Sequence, residues 1–267
     1  MRLVYLGTPA LAVPPLEALV VAGHDVALVV TGVDKRRGRG NQLSPSPVKQ
    51  AAQRLGIPVS HVVDDVLSIG AELGVVVAFG RLIKPHVLAE LPMVNLHFSL
   101  LPRWRGAAPV ERALLAGDAV TGVSLMAVEE GLDTGAVYAR AEVPIDATAT
   151  LDELRDELVR VGTELLIDKL AAGLGEAEPQ RGEPSYASKI DPAELRIDWS
   201  RPASEIDRLV RLGGAWTTFR GDRVKINAAR LEDGRLVPSV VQPEGKRPMA
   251  YEAWRNGARP AAGEWFE

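Results

Sequence analysis

Short apolar runs rich in β-branched residues alternate with helical patterns through the first two thirds of this 267-residue chain, and that alternation leaves few architectures open. Arg2–Leu6, Asp25–Val30, Val75–Ala78, Val94–Leu101 and Gly122–Val128 read as strands, and residues 57–63 as a weaker one. Helical patterns fall between them: from about Pro14 to Ala22, from Ser46-Pro47 onward, where proline suits a first turn, and over Val110–Ala116. Strands separated by helices predict a mostly parallel sheet covered on both faces, a doubly wound, Rossmann-like α/β domain. Ligands of such folds collect outside the carboxyl ends of the strands, so the informative residues should follow the apolar runs.

The pattern changes after Thr150. Leu151, Leu154, Leu158, Val161, Leu165, Leu166 and Leu170 step by three and four, which predicts an amphipathic helix with one buried face. Residues 175–203 are rich in Gly, Pro, Glu and Arg and read as a connector. A short helix near Ala203–Leu212 then precedes short strands at Trp216–Phe219, Arg223–Ile226, Arg230–Leu231 and Leu236–Val241. The expected organisation is a domain over 1–180, a linker over 181–202 and a small β-rich C-terminal domain over 203–267.

The chain has no cysteine, which excludes a disulfide framework, a thiol nucleophile and cysteine-based metal sites. The apolar N-terminus is cut by Gly7, Pro9, Pro14, Pro15 and Glu17 and reads as strand, turn and helix rather than a secretion signal. No stretch approaches the roughly 20 apolar residues that span a bilayer, so the expectation is a cytoplasmic protein without membrane association. The net charge of −4 would not attract nucleic acid, yet residues 31–50 carry a local +4 from Lys35, Arg36, Arg37, Arg39 and Lys49 against Asp34.

Two clusters carry the chemistry. In Asn95-Leu96-His97-Phe98-Ser99, strand alternation would put Asn95, His97 and Ser99 on one face, opening into the ligand crevice. Asn95 offers a donor to a developing oxyanion, and His97 can relay a proton near neutral pH. The competing reading is a histidine satisfied by a backbone carbonyl at a strand end. Gly131-Leu132-Asp133-Thr134-Gly135 marks a tight loop in which Asp133 either orients His97 or caps its own turn. The four histidines, His24, His61, His86 and His97, show no metal-ligand spacing. Gly7-Thr8-Pro9 lacks the glycine fingerprint of a dinucleotide fold.

The run from Asn95 through Ser99-Leu100-Leu101-Pro102-Arg103-Trp104-Arg105-Gly106 to Pro109, followed by Gly117-Asp118, Thr121-Gly122-Val123 and Gly131–Gly135, resembles the folate-dependent formyltransferases, most of all those acting on methionyl-tRNA. The resemblance covers essentially the whole chain. It implies 10-formyltetrahydrofolate as formyl donor, initiator methionyl-tRNA as acceptor, no metal, and a monomer. Asn95, His97 and Asp133 match the family's catalytic trio, and Ser99, Leu100, Leu101 and Pro102 its folate segment. Phe79, Gly80, Arg81 and Leu82 match its pterin pocket, and Lys35, Arg36, Arg37 and Arg39 its tRNA-gripping insertion. The C-terminal part is similar to an oligonucleotide-binding-type domain, here too short for a full five-stranded barrel and expected to leave an edge exposed unless something covers it. Two other readings stand beside this one: a formyltransferase acting on a nucleotide-linked amino sugar, and a non-catalytic folate- or tRNA-binding relic.

Overall fold

In the computed structural model, which describes residues 1–37, 42–232 and 234–267 (backbone only at 37 and 42), seven strands form one sheet. Their order across the sheet is Val137–Pro144, Val120–Ala127, Met93–His97, Leu73–Val77, Arg2–Gly7, Asp25–Val30, Val59–Ser60. The five from Met93–His97 to Val59–Ser60 run parallel; Val120–Ala127 pairs antiparallel with Met93–His97, and Val137–Pro144 pairs antiparallel with Val120–Ala127. The expected Rossmann-like, mostly parallel sheet is thus present.

The central strand Leu73–Val77 is buried at every position, as a strand covered on both faces must be. Val4, Leu6, Leu28, Val30, Val76 and Phe79 pack together with Ile83 and Val87 from the loop and helix that follow. The chain fills one side of the sheet from Arg2–Gly7 outward, then returns to the other side with Leu73–Val77. The order therefore reverses between these two strands, the place where ligands gather in open α/β sheets. The helix Leu151–Ala172 approaches the sheet closely at Gly162, where an added Cβ would lie 3.1 Å from both Leu96 and Val123.

Some elements differ from expectation. The weak strand at 57–63 is only Val59–Ser60, followed by a 3-10 helix over Val63–Ser68. The strand expected over Val94–Leu101 ends at His97, because the residues beyond it turn to bond with side chains and the loop. Val137–Pro144 was not anticipated, although Val137, Ala139, Ala141 and Val143 alternate with Tyr138, Arg140 and Glu142.

By backbone contacts the chain divides into two units. The first holds Met1–Pro109, Val120–Pro144 and Arg155–Ala187; the second holds Val110–Ala119, Ile145–Leu154 and Ser188–Glu267. The second unit contains a four-stranded antiparallel sheet in the order Trp216–Phe219, Asp222–Glu232, Arg235–Pro243, Met249–Ala250. Arg223–Ile226 and Arg230–Leu231 belong to one strand, because Ala228 and Ala229 keep the ladder going across register shifts, the first of which passes over Asn227. The helix Tyr251–Ala258 was also unforeseen; Gly257 lies inside it and weakens its pattern.

The edge strand Trp216–Phe219 is covered. Ile197 donates its backbone N–H to Trp216 at 2.7 Å, and Thr218 and Glu267 exchange backbone bonds of 3.3 and 2.8 Å. Pairing at the edge carries Phe266 into the core, where it stacks on Trp199 at 5.7 Å and on Trp254 at 5.1 Å. Arg220 holds the same segment through Glu264, with contacts of 2.6 and 2.7 Å.

Replacing Phe266 by Ala should remove about 3–5 kcal/mol from the second unit, read as a lower urea midpoint by tryptophan fluorescence. The Arg220 guanidinium, bonded to Glu264, together with the Ala261 N–H, lowers the Glu264 carboxyl from 4.5 to about 2. A depressed carboxyl stabilises the fold above its unfolded value and loses that contribution on protonation. Melting temperature against pH should therefore fall less steeply between pH 4.5 and about 2 in Glu264→Gln than in the parent.

Candidate active site

Asn95 and His97 are alternate residues of the strand Met93–His97, opposite Met126 and Ser124 of the antiparallel neighbour, and so share one face. His97 ends the strand and is buried. Its Nε2 donates to the Trp104 carbonyl at 2.9 Å, since a carbonyl oxygen only accepts. That places a hydrogen on Nε2 and leaves Nδ1 bare in the neutral ring. Nδ1 lies 3.6 Å from Asp133 Oδ2. One ring nitrogen is thus satisfied by backbone at the strand end, and the other faces a carboxylate.

Asp133 sits in the loop between Val120–Ala127 and Val137–Pro144, closed by Ala127 N–H donating to Ala136 at 2.8 Å. Its backbone is left-handed at φ +52°, a conformation Asp tolerates better than most residues. Oδ2 accepts the Gly106 N–H at 2.8 Å. The carboxylate is thus tied across to another segment. At Gly135 the chain passes so close to the Ala127 carbonyl that a Cβ would collide with it.

The segment after His97 is bound inward. Ser99 is fully buried and its hydroxyl donates to the Arg103 carbonyl at 2.6 Å. With the strand ended at His97, Ser99 does not continue the Asn95–His97 face by strand alternation. Ser124 donates to the Ser99 carbonyl at 2.7 Å and accepts the Leu101 N–H at 3.2 Å. Leu101 packs with Met126 and Val137, Leu100 and Pro102 are half-buried, and the Leu101–Pro102 bond is cis. Asn95 is half-buried, and its carboxamide has no hydrogen-bond partner among the described residues.

Phe79 follows the central strand and is buried; Gly80 has φ +70°, and Leu82 is 78% exposed. The Arg81 guanidinium lies 5.4 Å from the Phe79 ring and donates to the His61 carbonyl at 2.8 Å. Arg81 and Leu82 line a cavity of about 160 Å³ with His61, Asp64, Lys84 and Val87. His86 pairs with Asp64, which lowers the Asp64 carboxyl from its ordinary value.

In the basic region, Lys35–Arg37 pairs antiparallel with Gln42–Ser44. Lys49 bonds Asp34 at 2.8 and 2.9 Å, so these two charges neutralise each other at the base of the hairpin. Arg39 lies outside the described residues, and of Arg37 only the backbone is described.

Sequence reasoning missed two residues that bind these segments together. Arg105 donates from Nε and Nη2 to Gln180 Oε1 at 3.0 and 2.7 Å. Gln180 Nε2 donates to the Asp133 and Gly135 carbonyls at 2.8 and 2.9 Å. Arg105 stood inside the recognised motif, but Gln180 falls in the Pro- and Glu-rich connector, where nothing marked it.

Residues 1–170 match the formyl transferase family, and residues 189–236 match the formyl transferase C-terminal domain. A methionyl-tRNA formyltransferase of Dinoroseobacter shibae is 48% identical over 252 residues, covering 88% of this chain and 84% of that protein. One of Acidothermus cellulolyticus is 40% identical over 325 residues, covering 100% of each. Among solved structures, the methionyl-tRNA formyltransferase from Clostridium thermocellum superposes with a TM-score of 0.63 at 15% identity, over 91% of this chain and 98% of that one. An N-formyltransferase from Helicobacter canadensis, in complex with folinic acid and dTDP-3-aminofucose, superposes at 0.71 with 19% identity, over 94% and 98%. These last two likenesses speak for the fold, whereas the sequence matches speak for kinship. The chain belongs to the formyl transferase family and matches its methionyl-tRNA formyltransferase members along most of its length.

Proposed function

We propose that this chain transfers the formyl group of 10-formyltetrahydrofolate to the α-amino group of methionyl-tRNA. The observation that carries the reading is the approach of Asp133 to His97 on the strand face that bears Asn95, unpaired among the described residues, in a chain akin to methionyl-tRNA formyltransferases. Catalysis rests in the first 180 residues, with 181–202 as linker and 203–267 as an accessory β-rich domain.

In the reaction the amine nitrogen bonds to the formyl carbon and the carbonyl oxygen becomes an oxyanion. The bond from that carbon to N10 of the folate then breaks. One proton passes from the amine to the departing nitrogen. Asn95 donates its free carboxamide N–H to the oxyanion. His97 takes the amine proton at Nδ1, because Nε2 is occupied by Trp104. A proton arriving at Nδ1 faces Asp133, whose carboxylate the Gly106 N–H holds in place.

Phe79, Gly80 and Leu82, with Ser99 to Pro102, form the folate side of the site. The position of Phe79–Leu82, just after a strand at the reversal of sheet order and beside the cavity, supports this. Lys35, Arg36, Arg37 and Arg39 contact tRNA phosphates, which positions the acceptor without reading bases. The net charge of −4 makes this local basic hairpin the natural point of attraction.

Purified protein given 10-formyltetrahydrofolate and methionyl-tRNA should yield formylmethionyl-tRNA. Formylation of a nucleotide-linked amino sugar instead, with methionyl-tRNA untouched, would replace this reading. Asn95→Ala should lower kcat about 10²–10³-fold, and His97→Ala about 10²–10⁴-fold, measured with both substrates saturating. Arg37→Ala and Arg39→Ala should weaken tRNA binding, each lowering the slope of log affinity against log salt by about 0.7–0.9. Unchanged affinity and slope in a titration would remove the loop from the interface.

A further inference from the structure

Gln180 uses both ends of its carboxamide between the two segments that hold Asp133. Its oxygen receives two bonds from the Arg105 guanidinium, and its nitrogen gives one each to the Asp133 and Gly135 carbonyls. The residue next to Arg105 is Gly106, whose N–H binds the Asp133 carboxylate at 2.8 Å. Gln180 therefore fixes the backbone of Asp133 on one side, while the Arg105–Gly106 segment fixes its side chain on the other.

The strip bearing Gln180 is itself anchored at both ends. Glu178 exchanges backbone bonds of 2.8 and 2.9 Å with Val137. Further on, Tyr186–Ala187 pairs in parallel with Arg105–Gly106, and Ser185 accepts the Trp104 and Arg105 N–H groups at 2.9 and 2.8 Å. Trp104 is also the residue whose carbonyl holds His97 Nε2. One short strip thus touches the supports of both members of the pair. It lies at 178–187, between the segments matched to the two family domains.

We propose that Gln180, oriented by Arg105, is a positioning residue that sets the Asp133 carboxylate against His97. The proposal rests on the reading in which Asp133 and His97 serve proton transfer. An amide is required, because only an amide accepts from the guanidinium with one end and donates to two carbonyls with the other. A carboxylate would keep the Arg105 bonds and confront the Asp133 and Gly135 carbonyls with a second acceptor. An arginine is favoured opposite it, because the fork of Nε and Nη2 fixes the carboxamide plane, which an ammonium cannot do.

The test is kcat and KM for formyl transfer by Gln180→Met and Gln180→Glu, alone and combined with Asp133→Asn, with melting temperatures measured alongside. Gln180→Glu keeps the side-chain volume and the Arg105 contact, so it supplies a folded variant even where Gln180→Met does not. The expected result is a fall in kcat of about ten- to a hundredfold with both KM values within about twofold of the parent. In the Asp133→Asn background the same change should cost almost nothing, since a residue acting only through Asp133 has nothing left to position. A full loss persisting in that background, or parental kcat in Gln180→Glu, overturns the proposal. Parental kcat in Asp133→Asn alone would instead overturn the underlying reading of the site.

Discussion

The 3.6 Å approach of the Asp133 carboxylate to His97 Nδ1 joins parts of the chain that have no reason to meet until the sheet has formed. Their side chains are 13% and 6% exposed, so little water screens them from each other. The approach depends on the sheet ceasing to be parallel. A parallel edge would send the chain away through a crossover. The antiparallel return from Val120–Ala127 to Val137–Pro144 instead leaves a loop that folds back over the face bearing Asn95 and His97. Gly135 permits this loop by letting backbone pass against the Ala127 carbonyl.

Much of this was legible in the residues. Leu3–Leu6, Val26–Val30 and Val75–Val77 are apolar runs too short for helices and bounded by turn formers, which is the mark of buried parallel strands. Asn95, His97 and Asp133 stood out as polar groups beside apolar runs or between glycines. The end of the His97 strand was not legible, because Phe98-Ser99-Leu100-Leu101 is as apolar as a strand should be. What stops it is a local bond from Ser99 to the Arg103 carbonyl together with a tertiary one from Ser124 to the Ser99 carbonyl. Gln180 was invisible for a similar reason: its importance comes from partners at positions 105, 133 and 135, and no local pattern encodes that.

The second unit solves a problem its small size creates. A four-stranded sheet has edges that invite pairing with other chains. Here Ile197 and Glu267 occupy the outer edge of Trp216–Phe219. The same pairing inserts Phe266 between Trp199 and Trp254, so covering the edge and filling the core are one event. Neither could be read from periodicity, since the aromatic residues involved lie far apart in the chain.

The basic hairpin is tethered below its charged residues. Thr31 and Ser46 share a buried hydroxyl contact of 2.8 Å, Ser46 caps the helix Pro47–Arg54, and Asp34 grips Lys49. These clasps hold the two ends of the segment together. Lys35 and Leu43 are exposed, so a substitution at either leaves the buried Thr31–Ser46 contact in place. A change at Thr31 or Ser46, by contrast, must be absorbed by the core.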